Sequence, residues 1–232
     1  MKQLFLIAFV FLAQLNTTAQ VSFGGGLSLT NFMNTTGAVG QSFNMPGFHG
    51  HIEVPRSGDV TLYGRVNYLL PKANNESLST TYVTAINTTT NPIALQVNTS
   101  YKTNYFLFEG GNRYYLGNDY DNGFAGYGGS GLMLGLGKVK KTYDEKDVSG
   151  TISWANEYQK DPAEIQEGNI FTIGGYLQGG IKYTIPATGT IYADMSVYYL
   201  LLANPSNTTA IETDFISPFF FNFTLGFKKD LY

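Results

Sequence analysis

Two histidines and a glutamate stand at alternate positions in the segment FHGHIEVP, a spacing that could present ligands to a metal ion. In an extended strand, His49, His51 and Glu53 would share one face. The 232-residue chain contains no other histidine, however, and side chains at alternate positions of any β-strand share a face in the same way. We therefore expect no metal site and no cofactor.

The glycine-rich string GYGGSG, from Gly126 to Gly131, matches the dinucleotide-binding fingerprint only as letters. Phosphate binding by that fingerprint needs the N-terminus of an amphipathic helix, and none follows here. We interpret the string as a strand whose inward glycines leave room for large side chains from other strands. A nucleic-acid partner is also not expected, because the net charge is −3 and Arg56, Arg65 and Arg113 are the only arginines.

Catalytic chemistry finds little support among the residues. The absence of cysteine excludes disulfides, thiolate metal sites and thiol nucleophiles. A lipid-modifying hydrolase would typically need a histidine beside a serine and a carboxylate. Both histidines lie on one predicted strand with no serine between them. We therefore predict that the protein is not an enzyme.

The elements that would carry these residues are strands, because apolar residues recur at every second position. In the last segment, one face is almost wholly aromatic or aliphatic, whereas Asn222 and Thr224 lie on the other. Eight segments show such alternation: VSFGGGLSLT, FHGHIEVP, VTLYGRVNYLL, TNYFLFEGGNRYYL, FAGYGGSGLMLGLG, IFTIGGYLQGGIKYTI, TIYADMSVYYLL and SPFFFNFTLGFKKDLY. The apolar face of the last segment consists of Phe219, Phe221, Phe223, Leu225 and Phe227.

Charges within the segments distinguish a membrane barrel from a soluble one. A soluble lipocalin-like barrel would point its apolar residues inward and its charges outward, and so many large rings would crowd its interior. Here the charges share the less apolar face, while aromatics make up 15% of the chain and charged residues only 13%. We therefore predict that the apolar face meets lipid and that a lumenal charge network consists of Glu53, Arg65, Glu109, Arg113, Lys182 and Asp194.

The connections between the segments alternate between long and short. The short ones are rich in turn formers, namely RSGD, GNDYDNG and PATG. The long ones cover residues 31–46, 71–100, 139–168 and 203–218. This pattern predicts an all-β fold, an eight-stranded antiparallel up-and-down transmembrane barrel with short periplasmic turns and long extracellular loops. Alternating pieces at Tyr82 to Ile86 and Ile93 to Val97 predict strands that project above the membrane.

The N-terminus has the features of an export signal. Lys2 is followed by an apolar run from Leu4 to Ala13 and by small residues up to Ala19. The run is much shorter than the roughly 20 residues of a membrane helix. We therefore predict a signal peptide at residues 1–19 and an outer-membrane barrel at residues 20–232, in a bacterial cell.

A resemblance to a known family supports this fold. The signal peptide ending TTAQ, the glycine-dotted segment VSFGGGLSL, the eight alternating segments and the Phe-rich last strand together resemble the small outer-membrane β-barrel proteins of the PorT-like group. OmpX and OmpW share this architecture. The resemblance implies a barrel without an assigned activity, in some members an accessory part of secretion machinery.

These observations together favour a non-enzymatic structural or interaction protein of the outer membrane, for instance an accessory subunit of a secretion or assembly complex. The alternative is a narrow pore or small-ligand transport barrel, although the many interior tyrosines speak against open conduction. A lipid-modifying enzyme is the third candidate. The expected partners are outer-membrane lipid and other outer-membrane or periplasmic proteins.

One register can be predicted from the shortest hairpin. If Ala187, Thr188 and Gly189 form a three-residue loop, Pro186 lies opposite Thr190. Counting back along both strands then places Lys182 directly opposite Asp194, on the lumenal side. We therefore predict an ion pair between these two residues.

Overall fold

A computed structural model describes residues 21–33, 43–74, 80–87, 93–116, 123–143, 158–160, 167–205 and 217–231. The predicted signal peptide, residues 1–19, and much of the predicted long loops lie outside the described residues. The predicted turn GNDYDNG also lies outside them, except for its last glycine, Gly123. Within the described ranges, no helix is long and apolar enough to cross a membrane.

Ten β-strands form in the described part of the chain, and eight of them close into an antiparallel barrel. Around the barrel the order is β1, β2, β3, β5, β6, β8, β9 and β10, and β10 pairs with β1 to close it. The predicted eight-stranded barrel is thereby confirmed. The strands are β1 (Val21–Met33), β2 (Phe43–Pro55), β3 (Val60–Asn74), β4 (Thr80–Asn87), β5 (Ile93–Tyr115), β6 (Gly123–Tyr143), β7 (Tyr158–Lys160), β8 (Glu167–Ile185), β9 (Gly189–Pro205) and β10 (Phe219–Leu231).

Strands β4 and β7 extend the sheet beyond the barrel. Strand β4 pairs with the first residues of β5, from Thr80 opposite Asn98 to Ala85 opposite Ile93, and β7 adds to the other edge of β4. At 23 residues, β5 is about twice as long as the 9 to 11 residues that cross a bilayer. The strands predicted at Tyr82 to Ile86 and at Ile93 to Val97 are present, as parts of β4 and β5.

In the hairpin between β8 and β9, the pairing register differs from the predicted one, so that the β8 residues near the turn lie opposite β9 residues two positions earlier than predicted. Ile185 lies opposite Gly189, so the loop is Pro186 to Thr188, and the Thr188 amide donates to the Ile185 carbonyl at 3.1 Å. The φ of Ala187 is 63°, which together with the preceding proline gives a type II turn. Proline fits the second position of such a turn because its ring fixes φ, and the loop therefore begins one residue earlier than predicted.

The predicted pair of Lys182 with Asp194 is wrong for this reason. Lys182 lies opposite Tyr192, and Asp194 lies opposite Gly180. Because the shift is two residues, each side chain keeps its face, and both charged residues still point into the barrel.

The barrel has two distinct ends. The turns at residues 56–59 and 186–188, the start of β1 and the end of β10 lie at one end, which we call the turn end. The long connections leave from the other, which we call the loop end. Polar and charged side chains fill the middle and the turn end of the interior, whereas apolar side chains fill the loop end.

Candidate functional site: the barrel interior

All six residues of the sequence-predicted lumenal charge network point into the barrel. Each of the six is at most 5% exposed. Their positions follow from the strand alternation, since every one lies on the inward parity of its strand. The structure joins five of them directly, whereas Lys182 contacts neighbours other than the predicted one. The five are Glu53, Arg65, Glu109, Arg113 and Asp194.

Asp194 is the centre of these contacts. Its Oδ1 accepts hydrogen bonds from Arg65 Nη1 at 2.9 Å and from the Thr224 hydroxyl at 2.6 Å. Its Oδ2 accepts from Arg113 Nη2 at 3.0 Å and from the Tyr127 hydroxyl at 3.0 Å. The carboxylate thus has four donors from four different strands, and two of those donors carry charge.

Arg65 extends the network across the full width of the barrel. Its Nε and Nη2 both donate to Glu109 Oε2, at 3.0 and 2.8 Å, and Glu109 lies directly opposite on β5. Its Nη1 reaches Asp194 on β9, which is four strands from β3 in either direction around the barrel. Glu109 Oε1 in turn accepts from Asn67 at 2.5 Å and from Tyr198 at 2.7 Å. The guanidinium therefore spans the lumen between two carboxylates.

Arg113 is held by both charge and aromatic rings. Its Nε donates to Gln178 Oε1 at 2.8 Å, and its Nη1 lies 3.5 Å from Glu53 Oε2. The guanidinium carbon lies 3.6 Å from the ring centroid of Tyr63 and 4.7 Å from that of Tyr127. A desolvated cation over an aromatic face gains up to about 2 kcal/mol. Two tyrosines therefore help to retain this charge away from water.

Lys228 belongs to the network although the sequence prediction did not include it. Its Nζ donates to Glu53 Oε2 at 2.7 Å, and Glu53 Oε1 accepts from Thr61 and from Tyr115, each at 2.5 Å. The strand β10 stays paired with β1 as far as Leu231, so Lys228 keeps the inward parity of Asn222 and Thr224. The sequence could have identified Lys228 as an inward residue, because it stands at the same alternate positions as Asn222 and Thr224.

Lys182 lies near the turn end, close to Tyr115. Its Nζ is 3.3 Å from the Thr184 hydroxyl and 5.1 Å from the centroid of the Tyr115 ring. The ring of Tyr115 is also 5.6 Å from the Nζ of Lys228. Two lysines thus approach one aromatic ring, whose hydroxyl donates to Glu53.

Both histidines form hydrogen bonds with the same tyrosine instead of pointing at a shared position for a metal ion. The Tyr192 hydroxyl lies 2.5 Å from His49 Nε2 and 3.0 Å from His51 Nδ1. Glu53, the third residue of the possible metal set, instead contacts Lys228, Arg113, Thr61 and Tyr115. Among the described residues, no cluster of three metal-ligating side chains is present.

Inward glycines make space for the large side chains of the network. A Cβ on Gly226 would come within 2.2 Å of the Tyr192 hydroxyl, which crosses directly over this position from β9. A Cβ on Gly131, within the string GYGGSG, would lie 2.8 Å from the Tyr176 hydroxyl. The glycine-rich string is thus part of β6, and its inward glycine faces a large side chain, as the sequence predicted.

Apolar side chains close the loop end of the interior, a feature that the alternation did not predict. The rings of Tyr198 and Phe220 stack at 4.5 Å between centroids, and Phe32 lies 5.0 Å from Phe220 and 5.2 Å from Tyr105. The cavity beside them measures about 10 Å³, room for one water at most. We call this cluster the apolar plug: Phe32, Met45, Leu69, Tyr105, Leu107, Met133, Val139, Ile170, Tyr176, Tyr198 and Phe220.

The outer surface of the barrel is apolar. The residues predicted to face lipid on β10 all point outward, with Leu225 58% exposed and Phe223 49% exposed. Large outward side chains continue around the barrel, including Leu132 and Leu177, both 68% exposed. The predicted residues of β10 are Phe219, Phe221, Phe223, Leu225 and Phe227.

The three buried carboxylates of the interior are fully engaged in hydrogen bonds. Asp194, Glu53 and Glu109 each accept hydrogen bonds on both carboxylate oxygens, so none is poised as a free base. Within the described part of the chain, neither histidine contacts a serine. These contacts therefore make the carboxylates and the histidines part of the packed interior.

No protein-family model matches the sequence, and no curated protein matches it either. Solved structures do resemble it. Ail, the attachment invasion locus protein of Yersinia pestis, aligns with a TM-score of 0.51 at 11% identity, over 92% of this chain and 100% of Ail. The structure of Ail with the heparin analogue sucrose octasulfate gives a TM-score of 0.50 at 12% identity, with the same coverage. The chain therefore has the fold of the small eight-stranded outer-membrane β-barrels.

Proposed function

We propose that this protein is an integral barrel of the bacterial outer membrane that acts without catalysis, as a structural or interaction protein. In this role it serves as an accessory subunit of an outer-membrane secretion or assembly complex, through its loops or its outer face. The observation that carries the proposal is a closed barrel with an apolar outer surface and an interior filled by ion pairs and an apolar plug.

The outer surface supports residence in a membrane. Soluble monomers rarely expose apolar patches larger than a few hundred Å². Here large apolar side chains cover the outer face, and outward lysines are found near its limits, at Lys138 toward the loop end and Lys229 toward the turn end. A lipocalin-like soluble barrel would need the opposite orientation of its faces.

The filled interior favours an interaction protein over a pore. A conducting lumen needs a continuous aqueous path, and the apolar plug interrupts that path at the loop end. The ion pair of Arg65 with Asp194 crosses it again in the middle. In the described part of the chain, the outer face and the two ends of the barrel are therefore the surfaces available for function.

The enzyme alternative draws no support from the interior contacts. A rim-located hydrolase would hold its histidine at the mouth of the barrel. His49 and His51 are instead 5% exposed, and both bind Tyr192. Both histidines therefore contribute to the packing of the barrel interior.

Two leucines of β10 provide a test of membrane residence. Leu225 lies in the middle of the strand and Leu231 at its end, and the two are 58% and 56% exposed. An outward arginine costs about 2 to 4 kcal/mol at the middle of a bilayer and about 0 to 1 kcal/mol near its surface. We expect Leu225→Arg to lower the free energy of unfolding in phospholipid vesicles by that larger amount, and Leu231→Arg by the smaller one.

Urea titration in vesicles measures both variants, with the folded fraction taken from the mobility of unboiled protein on a denaturing gel. Equal costs for the two leucines would contradict membrane residence. In water, an arginine should cost the same at both positions, because the two side chains are almost equally exposed. Cell fractionation followed by gentle solubilisation and copurification tests the interaction role. Retention of one stable partner supports an accessory subunit, whereas recovery of the barrel alone contradicts that part of the proposal.

A further inference from the structure

Three outward lysines lie together at the loop end of the barrel. Lys138 and Lys140 follow Leu136 on the outward face of β6, and their side chains are 53% and 50% exposed. Lys102 on β5 lies directly opposite Lys140 and is also exposed. We call these three residues the lysine patch.

The lysine patch lies immediately beyond the apolar surface. Leu136 is paired with Phe106 on one side and with Phe171 on the other, so these three form one apolar row across β5, β6 and β8. Lys138 is two residues farther along β6, which corresponds to about 7 Å along the strand. A molecule that contacts both levels must have an apolar part and an anionic part.

Among the residues that the structure describes, the charge of the patch is only partly compensated. Glu167 contacts Lys138 Nζ at 2.7 Å and Lys140 Nζ at 3.3 Å. These two lysines lower the pKa of the exposed Glu167 carboxyl, mainly by hydrogen bonding, so it is ionised at neutral pH. Three ammonium groups and one carboxylate still leave an excess of positive charge.

The directly opposed pair of Lys102 and Lys140 places two like charges next to each other. Directly opposed side chains have Cβ atoms about 4.5 to 5.5 Å apart, and like charges at this distance destabilise a sheet. An anion held between the two ammonium groups would remove that cost. Lysine ammonium groups are common phosphate ligands, and each one near a membrane surface favours an anionic lipid.

We propose that the lysine patch binds the phosphate of an anionic membrane lipid whose acyl chains lie against Leu136, Phe106 and Phe171. The charge of the patch selects the headgroup, and the apolar row below it accommodates the hydrocarbon. The proposal rests on the membrane residence proposed above.

Binding of short-chain phosphatidic acid to the folded barrel in a zwitterionic detergent at low ionic strength tests the proposal. We expect Lys102→Gln to raise the dissociation constant about fivefold, and the triple change of all three lysines to glutamine to raise it on the order of a hundredfold. Lys229→Gln, at the turn end, is the matched control and should leave binding unchanged. Replacement of all three lysines by arginine should preserve binding, because the charge is kept.

Unchanged binding by the triple glutamine variant would overturn the proposal, as would equal losses in the triple variant and the Lys229→Gln control. Inorganic phosphate serves as a competitor. If it displaces the lipid at an equal concentration, the acyl chains contribute nothing and the lipid assignment is wrong. The mobility of unboiled protein confirms folding of each variant, and fractionation tests membrane residence separately, so the two proposals can fail independently.

Discussion

Replacement of Asp194 by asparagine tests the central contact of the interior. The carboxylate accepts hydrogen bonds from Arg65, Arg113, Tyr127 and Thr224. An asparagine amide presents one oxygen and one NH₂ group, so the two donors that face its nitrogen lose their acceptor. Removal of one partner from a buried ion pair typically costs 3 to 5 kcal/mol, because the surviving charge is left uncompensated. We expect Asp194→Asn to lower the free energy of unfolding by about that amount.

The control is Thr224→Val, which removes a neutral hydroxyl that donates to Asp194 and accepts from Arg65 Nη1 at 3.0 Å, and which should cost about 1.5 to 3 kcal/mol. Urea titration in phospholipid vesicles, with folded protein measured by gel mobility before boiling, gives both values. A double change of Asp194→Asn with Arg113→Gln should cost less than the sum of the single changes, because the unpaired guanidinium is gone. If Asp194→Asn costs no more than Thr224→Val, or if the double change is additive, the assignment of Asp194 as the centre of the network is wrong.

Two further predictions concern the filled interior. Purified protein in a planar bilayer should show no stable ohmic channel of porin size, since the apolar plug and the Arg65 ion pairs close the lumen; reproducible long-lived openings would contradict this. Gly226→Ala should lower the free energy of unfolding by about 1 to 3 kcal/mol, because its Cβ would meet the Tyr192 hydroxyl at 2.2 Å and the Gly25 carbonyl oxygen at 2.7 Å. Gly50→Ala, whose Cβ would have its nearest neighbour at 3.9 Å, should change it by less than about 0.5 kcal/mol in the same urea titration. Equal effects at the two glycines would contradict the position of the Tyr192 side chain over Gly226.

Alternation in the sequence was sufficient to predict which face of each strand points inward. The parity of β10 placed Phe223 and Leu225 outward and Thr224 inward, because side chains on a strand alternate with a period of two. The same rule put Lys228 inside, although it was not included among the predicted charges. Fold class follows from such patterns because they repeat over every strand.

Register and pairing across the lumen could not be predicted in this way. The hairpin register depends on whether the loop begins at Pro186 or Ala187, and either choice leaves every side chain on the same face. The apolar plug was not predicted because Leu69, Met133 and Ile170 are apolar residues on inward parity, against the general rule of a polar interior. The contact of Arg65 with Asp194 joins strands on opposite sides of the barrel, and no local spacing records it.

The ion pair between Arg65 and Asp194 also has a consequence for folding order. The two residues are 129 positions apart in the chain, and they come within reach only when the sheet has curled so far that β3 faces β9. A partly assembled sheet would therefore carry these charges without their partners, at a cost that rises as the sheet leaves water. Half-closed intermediates are thus disfavoured, and for the membrane residence proposed above, insertion and closure of β1 against β10 should occur as one concerted step.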